Sequence, residues 1–441
     1  MPGKSQRIES VVRNSCPFIA HAYRNIFLFV FMVCAPILLA QYNSNFINYT
    51  KYGRSVSLNM EYESGSNAMN SALINKLMWG GYIDQETKDA SQQKLRSYNN
   101  FGINLNYDVN AILKGGKKFD LVIGLKNQEI VNGYFTRDFY NLLFYGNTAY
   151  KGKTADLSNC NFNALRFQEF KIGGVMNKVD SMGKIGFSVS FLKGEQLFYL
   201  GTGANSSLYT SPDGSQVVWN SDFNLALSDT AKRGFGSFNG MGASADIYFE
   251  TEYKSVIGKK SRLVVNANNI GFIYWRKQSV QYSSDSVYNY EGYSVTNIND
   301  LRDTTLGDLT RDSVINNLLN NYSENFNVNI PSNLLIINKI YFGKLSPFGQ
   351  YKYCFSFGFR HIFNANYIPY VFIEPEYTYR NFNFGAHIGY GGYMRLSLGA
   401  SVSLNRPGWF FRLGSNSLQG FILPNKTSGQ GVYLTLAKKL K

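Results

Sequence analysis

The chain of 441 residues carries only 4 cysteines, 10 prolines, 4 tryptophans and 3 histidines, and each scarcity excludes a class of protein. Cys16 and Cys34 stand in the first forty residues, while Cys160 and Cys354 are far apart. Two isolated thiols make neither a disulfide framework nor a zinc-ligand set. No H-E-x-x-H, C-x-x-C or calcium-loop spacing occurs, so the sequence points to no metal site and no cofactor. Past Ala40 there is no run of about 18 apolar residues, which excludes a bundle of membrane-spanning helices. The mean hydropathy of -0.22 leaves a transmembrane barrel open, because lipid-facing and lumen-facing residues alternate along its strands and cancel. No G-x-S-x-G elbow is present. The glycine-containing string Gly240-Met241-Gly242-Ala243-Ser244-Ala245 lies inside an alternating strand, so it reads as small residues easing curvature, not as a dinucleotide loop.

What is abundant is strand-forming: 34 Phe, 32 Tyr and 41 Gly, aromatic residues favouring pleated surfaces and glycines supplying turns. The formal net charge is +15. Lysines and arginines form no block denser than Lys117-Lys118, Lys259-Lys260 and Lys438-Lys439, so nucleic acid is not an expected partner. Charge dispersed over loops and strand ends suits water and the anionic headgroups of outer-membrane lipid.

Arg24 to Ala40 reads RNIFLFVFMVCAPILLA: a basic start, an apolar core and a small residue before Gln41, the layout of an export signal. The expected division is therefore a signal over residues 1–40, the 23 residues before Arg24 forming an N-terminal extension within it, and a barrel over 41–441. A cleaved signal would leave the mature chain at +12, the three charges removed coming from Lys4, Arg7, Arg13 and Arg24 set against Glu9.

From about Ser55 onward, stretches of roughly ten residues carry apolar side chains at every second position. Phe101, Ile103, Leu105, Tyr107 and Val109 alternate with Gly102, Asn104, Asn106 and Asp108, and Lys114-Gly115-Gly116-Lys117 reads as the following hairpin turn. Strands such as Gly240 to Tyr253 and Met394 to Asn405 exceed the usual five or six residues of soluble sheets and fit a tilted crossing. The pattern predicts an all-β fold, a transmembrane antiparallel barrel of roughly 14 strands with a few short helices in loops or plug. Two stretches interrupt it. Residues 67–96 have helical character, with Asp84 as an N-cap and Lys94 and Arg96 late in the second helix. Residues 283–333 form a polar, Asn-rich insertion with a helix expected near Asp312 to Asn321.

The last third places Arg360, Glu374, Glu376, Arg380, His387, Arg395 and Arg412 on the face opposite the Phe, Tyr and Leu series. This lumen-facing charged set is the candidate site. It reads either as charges that pair and fill the lumen or as a basic constriction selecting anionic or amphipathic solutes. His361 falls on the apolar face.

Three groups of motifs carry a resemblance. They are the helical segment Asn67 to Leu95 followed by FGINLNYDV at Phe101 to Val109; LLFYGNTAYKGKTADLS at Leu142 to Ser158; and NNIGFIYWRKQSVQY at Asn268 to Tyr282 with YNYEGYSV at Tyr288 and IPSNLLI at Ile330. On these the chain resembles a family of outer-membrane β-barrel proteins of unknown function from Bacteroidota. More distantly it is similar to fatty-acid transporter-type barrels and to barrel subunits of the type IX secretion system. The C-terminal GVYLTLAKKLK departs from the usual barrel-assembly signal in lacking a terminal aromatic residue. The resemblance implies a non-enzymatic protein of the outer membrane with no catalytic residues to transfer. It would be a transporter or channel for small hydrophobic or anionic solutes, or a membrane subunit of a secretion or surface-assembly machine with envelope protein partners. Two alternatives stand beside it: a lipid-acting enzyme with a serine and a carboxylate at His387, and a secreted β-sandwich adhesin.

Overall fold

The structure, a computed structural model, describes residues 54–440 except 117–118, 178–182, 233, 277, 292–319, 323–324 and 346–349. The export signal and most of the helix expected at Asp312 to Asn321 lie outside the described residues, and Asn320–Tyr322 is a short strand.

Fourteen strands close on themselves. They are β1 (Ser55–Ser66), β2 (Tyr98–Lys114), β3 (Phe119–Thr136), β4 (Asn161–Asn177), β5 (Gly183–Thr202), β6 (Gly240–Lys254) and β7 (Lys260–Trp275). The circuit continues through β8 (Ser332–Leu345), β9 (Tyr351–Phe363), β10 (Ile368–Tyr379), β11 (Phe382–Gly392), β12 (Met394–Arg406), β13 (Trp409–Ser415) and β14 (Gln430–Lys439). Each pairs antiparallel with its successor, and β14 returns to β1 through Ser55↔Lys439 to Ser64↔Gln430. A sandwich is thereby excluded: there is one sheet, and it has no free edge in the circuit.

Alternation explains the two surfaces. On β10, Val371, Ile373, Tyr377 and Tyr379 are exposed and Phe372, Glu374 and Thr378 buried; on β5, Ile185, Phe187, Val189 and Phe191 are exposed and Ser188, Ser190 and Leu192 buried. A period of two on a closed sheet sends one set outward and the other inward. The outward set forms an apolar band about 20–25 Å tall, taking eight steps from Val371 to Tyr379 at a tilt near 40°. Each of these side chains moved from water into hydrocarbon is worth about 1–2 kcal/mol, which is why a band this extensive calls for an apolar surrounding.

The two ends differ. The first and last described residues and the strand ends that face each other at β2–β3, β4–β5, β6–β7, β8–β9, β10–β11 and β12–β13 lie at one end, with five residues or fewer between the strands of each pair. The other end carries the helices α1 (Ser71–Trp79), α2 (Gln85–Gln92), α3 (Arg137–Tyr145) and α4 (Gln419–Ile422), and a side sheet. That sheet runs Lys153–Asp156, Ser207–Thr210, Val217–Leu227, Val280–Tyr290, Asn320–Tyr322. It branches from the barrel where β5 leaves β6 and pairs through Phe198↔Leu227. Val280–Tyr290 belongs to it, so the first part of the insertion expected over 283–333 is strand.

Helices α1 to α3 neither plug the barrel nor cross its opening. Leu73, Ile74 and Met78 of α1 and Tyr140 of α3 pack against Tyr62, Ile103 and Phe135, which occupy outward positions of β1, β2 and β3. Asn70 caps α1 by accepting from Leu73 N at 2.8 Å, Asp84 caps α2 through Thr87 N, and Thr136 caps α3 through Phe139 N.

Candidate functional site

The inward faces of the fourteen strands meet one another. Arg412 on β13 reaches past two intervening strands to β10, donating to Glu374 at 2.9 Å and Glu376 at 3.2 Å, and to Ser401 of β12 at 3.0 Å. Arg360 on β9 donates to Asn333 of β8 at 3.0 Å and to Glu63 of β1 at 3.0 Å, with Glu61 at 3.9 Å. Strands β9 and β1 are six steps apart in the circuit of fourteen. A round fourteen-stranded barrel would be about 28 Å across its backbone, whereas an Arg–Glu pair spans about 12 Å. The walls are therefore drawn together at this level.

A second network fills the opposite half. Lys171 of β4 sits between Glu169, at 3.1 Å, and Asp246 of β6, in a shorter contact. Lys126 of β3 joins Glu169 at 3.9 Å. Ser190 donates to Glu169 at 2.7 Å and Ser188 to Asp246 at 3.2 Å. Asn269, held at φ 60 by a bulge in β7, donates its backbone N–H to Asp246 and its side chain to Gln128 of β3, both at 2.9 Å.

Towards the loop end the connections themselves turn inward. Asn366, between β9 and β10, donates to Asn132 of β3 at 2.8 Å and accepts through its carbonyl from Asn100 of β2 at 3.1 Å. Tyr393, between β11 and β12, lies flat against Gly102 of β2: a Cβ there would meet its ring at 2.1 Å. Tyr367 and Tyr393 stand edge to face at 4.9 Å, and the Arg360 guanidinium lies 5.5 Å from the Tyr367 ring. These rings join Ile112, Val122, Tyr248 and Phe372 in one buried apolar cluster inside the barrel. Arg360, Glu374, His387 and Arg412 are each 4% exposed or less. Side chains lining a water-filled pore of this size would be accessible.

The residues singled out from sequence separate into three groups. Arg412, Glu374 and Glu376 come together, and Arg360 faces the same interior at another level with partners from β1. His387 is inside, its Nε2 2.6 Å from the Tyr370 hydroxyl, which also touches the Ser397 hydroxyl. Tyr370 thus stands where a histidine-activated serine would have to be. Arg380 does not face the lumen: it is exposed in the β10–β11 turn at φ 53, its guanidinium 5.4 Å from the Tyr379 ring. A two-residue hairpin turn needs positive φ, so the alternation ends one residue before Arg380. Arg395 lies at the loop end of β12, half-buried beside Tyr390 and Arg96, not among the carboxylates. Each interior arginine is shared by two carboxylates, so the set does not form a basic constriction.

Sequence reasoning passed over Glu61 and Glu63 on β1, Glu169 and Lys171 on β4, and Asp246 on β6. Each obeys the same alternation, as Glu169 and Lys171 do around the exposed Phe170. The alternation carries that signal, but the candidate set takes its charges from the last third alone. His361 faces outward as expected, packed edge-on against Phe363 at 4.6 Å.

Among solved structures the chain is similar to the toluene transporter TodX of Pseudomonas putida, at 8% identity over 91% of this chain and 96% of that one with a TM-score of 0.42. It is also similar to the toluene transporter TbuX of Ralstonia pickettii, at 11% over 88% and 90% with a TM-score of 0.39. A third is the translocator domain of the autotransporter NalP from Neisseria meningitidis, at 8% over 90% and 92% with a TM-score of 0.34. No curated protein matches the chain. A family model matches residues 55–416, nearly the whole barrel. The chain belongs to that family, described as a family of unknown function (DUF5723).

Proposed function

We propose that this protein is a non-enzymatic barrel of the outer membrane whose interior is closed to free diffusion, and that it serves as a membrane scaffold presenting its loop-end helices and side sheet. The apolar band supports the membrane setting, because its height fits a bilayer core and its strands leave no edge unpaired. Short turns at one end, and helices and a side sheet at the other, match the usual periplasmic and extracellular ends. The observation that carries the closed interior is the Arg360–Glu63 pair between nearly opposite walls. A scaffold tolerates a filled lumen, whereas a channel needs a continuous path.

A second reading, a gated route for small apolar molecules, draws on one feature. The inward turns bearing Asn366 and Tyr393 are short connections held by hydrogen bonds and ring contacts, and a hatch could be built from them. Planar-bilayer recording separates the two. The scaffold reading predicts no steady ohmic conductance from the purified protein, before or after addition of a small aromatic hydrocarbon. Stable open steps, or uptake of that hydrocarbon into vesicles, would establish a route instead.

A further inference from the structure

Helix α1 runs down the outside of the barrel. Its cap, Asn70, follows the loop end of β1, while its last turn comes back alongside that strand: Met78 Sδ lies 3.7 Å from the Tyr62 hydroxyl, which donates to Ser64 at 3.0 Å, two residues below the end of β1 at Ser66. After Trp79, Gly80 and Gly81 reverse the chain at φ 82 and 127, values that glycine adopts without strain. Asp84 then caps α2, and Lys76 ties the two helices by donating to Asp84 and, at 3.1 Å, to Thr87. The tip from Trp79 to Tyr82 is thus the part of the α1–α2 hairpin nearest the apolar band. Ser64 pairs with Ile103, three outward positions above Val109 of β2, which is itself 47% exposed. Along a tilted strand that separation is about 15 Å, which the residues after Met78 go on to shorten.

Trp79 is 40% and Tyr82 74% exposed. Both are amphipathic rings of the kind that concentrate where hydrocarbon meets headgroups. We propose that the Trp79–Tyr82 tip is seated in the interface of the outer leaflet, making the α1–α2 hairpin a flange that rests on lipid. The inference rests on the membrane reading above; continuity between the tip and the apolar band selects lipid over a protein as occupant.

The four tryptophans supply the test. Trp409 is 48% exposed on the band and serves as the positive control; Trp219 lies on the side sheet away from it. The full-length protein is reconstituted in phosphatidylcholine vesicles containing dibrominated phosphatidylcholine, and quenched emission is compared for wild type, Trp79→Phe, Trp409→Phe and Trp219→Phe. With two of the four tryptophans touching lipid, Trp79→Phe should remove about half of the lipid-quenched emission, as should Trp409→Phe. Trp219→Phe should remove almost none. If Trp79→Phe leaves the lipid-quenched emission unchanged and instead removes iodide-quenched emission, while Trp409→Phe removes nearly all of the lipid-quenched emission, the flange is wrong and the barrel stands. If neither variant changes lipid quenching, the membrane reading fails with it.

Discussion

Replacing Arg360 by methionine removes the cation that joins opposite walls while keeping most of the side-chain volume. Its guanidinium lies 3.0 Å from Glu63 and 3.9 Å from Glu61, with only a few per cent of its surface accessible. Two carboxylates would be left facing each other without their cation. Breaking a buried pair by deleting one partner costs about 3–5 kcal/mol, because the remaining charge keeps its desolvation penalty. Neutralising the partners as well, in Arg360→Met with Glu61→Gln and Glu63→Gln, should recover most of that loss, since an uncharged interior needs no compensation. Urea titration of the lipid-reconstituted protein, followed by gel mobility, reads both variants as shifts of midpoint at unchanged slope. A single variant within about 1 kcal/mol of wild type would mean that the pair behaves as a solvent-screened one. The lumen would then be wet, and the closed-interior account would fall.

Other perturbations probe separate parts of the structure. Arg412→Met should cost a similar 3–5 kcal/mol by stranding Glu374 and Glu376, whereas Arg380→Ala, in its exposed turn, should change the same titration by less than about 0.5 kcal/mol. Gly102→Leu cannot be accommodated without displacing Tyr393, so it should destabilise by about 1–3 kcal/mol and raise conductance in planar bilayers; an unchanged midpoint would place Tyr393 elsewhere. The Lys76 ammonium, then the Thr87 backbone N–H, hold the Asp84 carboxyl well below the usual carboxylate range. A carboxylate whose folded pKa is depressed contributes its stability above the unfolded value of about 4 and loses it as pH falls through the folded value. Trp79 emission, taken as wild type minus Trp79→Phe, should therefore be constant from neutral pH to about 5 and shift only below about 4, and Asp84→Asn should already show the shifted emission at neutral pH.

Much of this architecture is legible as a period of two. The alternation around Phe355, Phe357 and Phe359, or Leu396, Leu398 and Ala400, depends only on one face being apolar, and closure into a fourteen-stranded barrel follows from strand lengths and turn spacing. Helices α1 and α2 are legible in the helical character of residues 67–96 and in the Asp84 cap. Their place outside the barrel is not, because an amphipathic helix presents the same stripe to a lumen wall or to an outer one. Alternation likewise says that Arg360 points inward but not that Glu63 will meet it, a pairing set by how far opposite walls approach. Arg380 shows the limit at a strand end, where turn geometry overrides periodicity. The side sheet is hard to see in the sequence because the polar run Ser283-Ser284-Asp285-Ser286 interrupts the alternation in the middle of Val280–Tyr290.

The most direct check of the central claim is fractionation of the native cell envelope followed by gel mobility of the extracted protein with and without boiling. A closed membrane barrel predicts recovery in the outer-membrane fraction and a fast band that slows on boiling, as the strands of the β14–β1 closure come apart. Recovery in the soluble fraction with one unshifted band would contradict it.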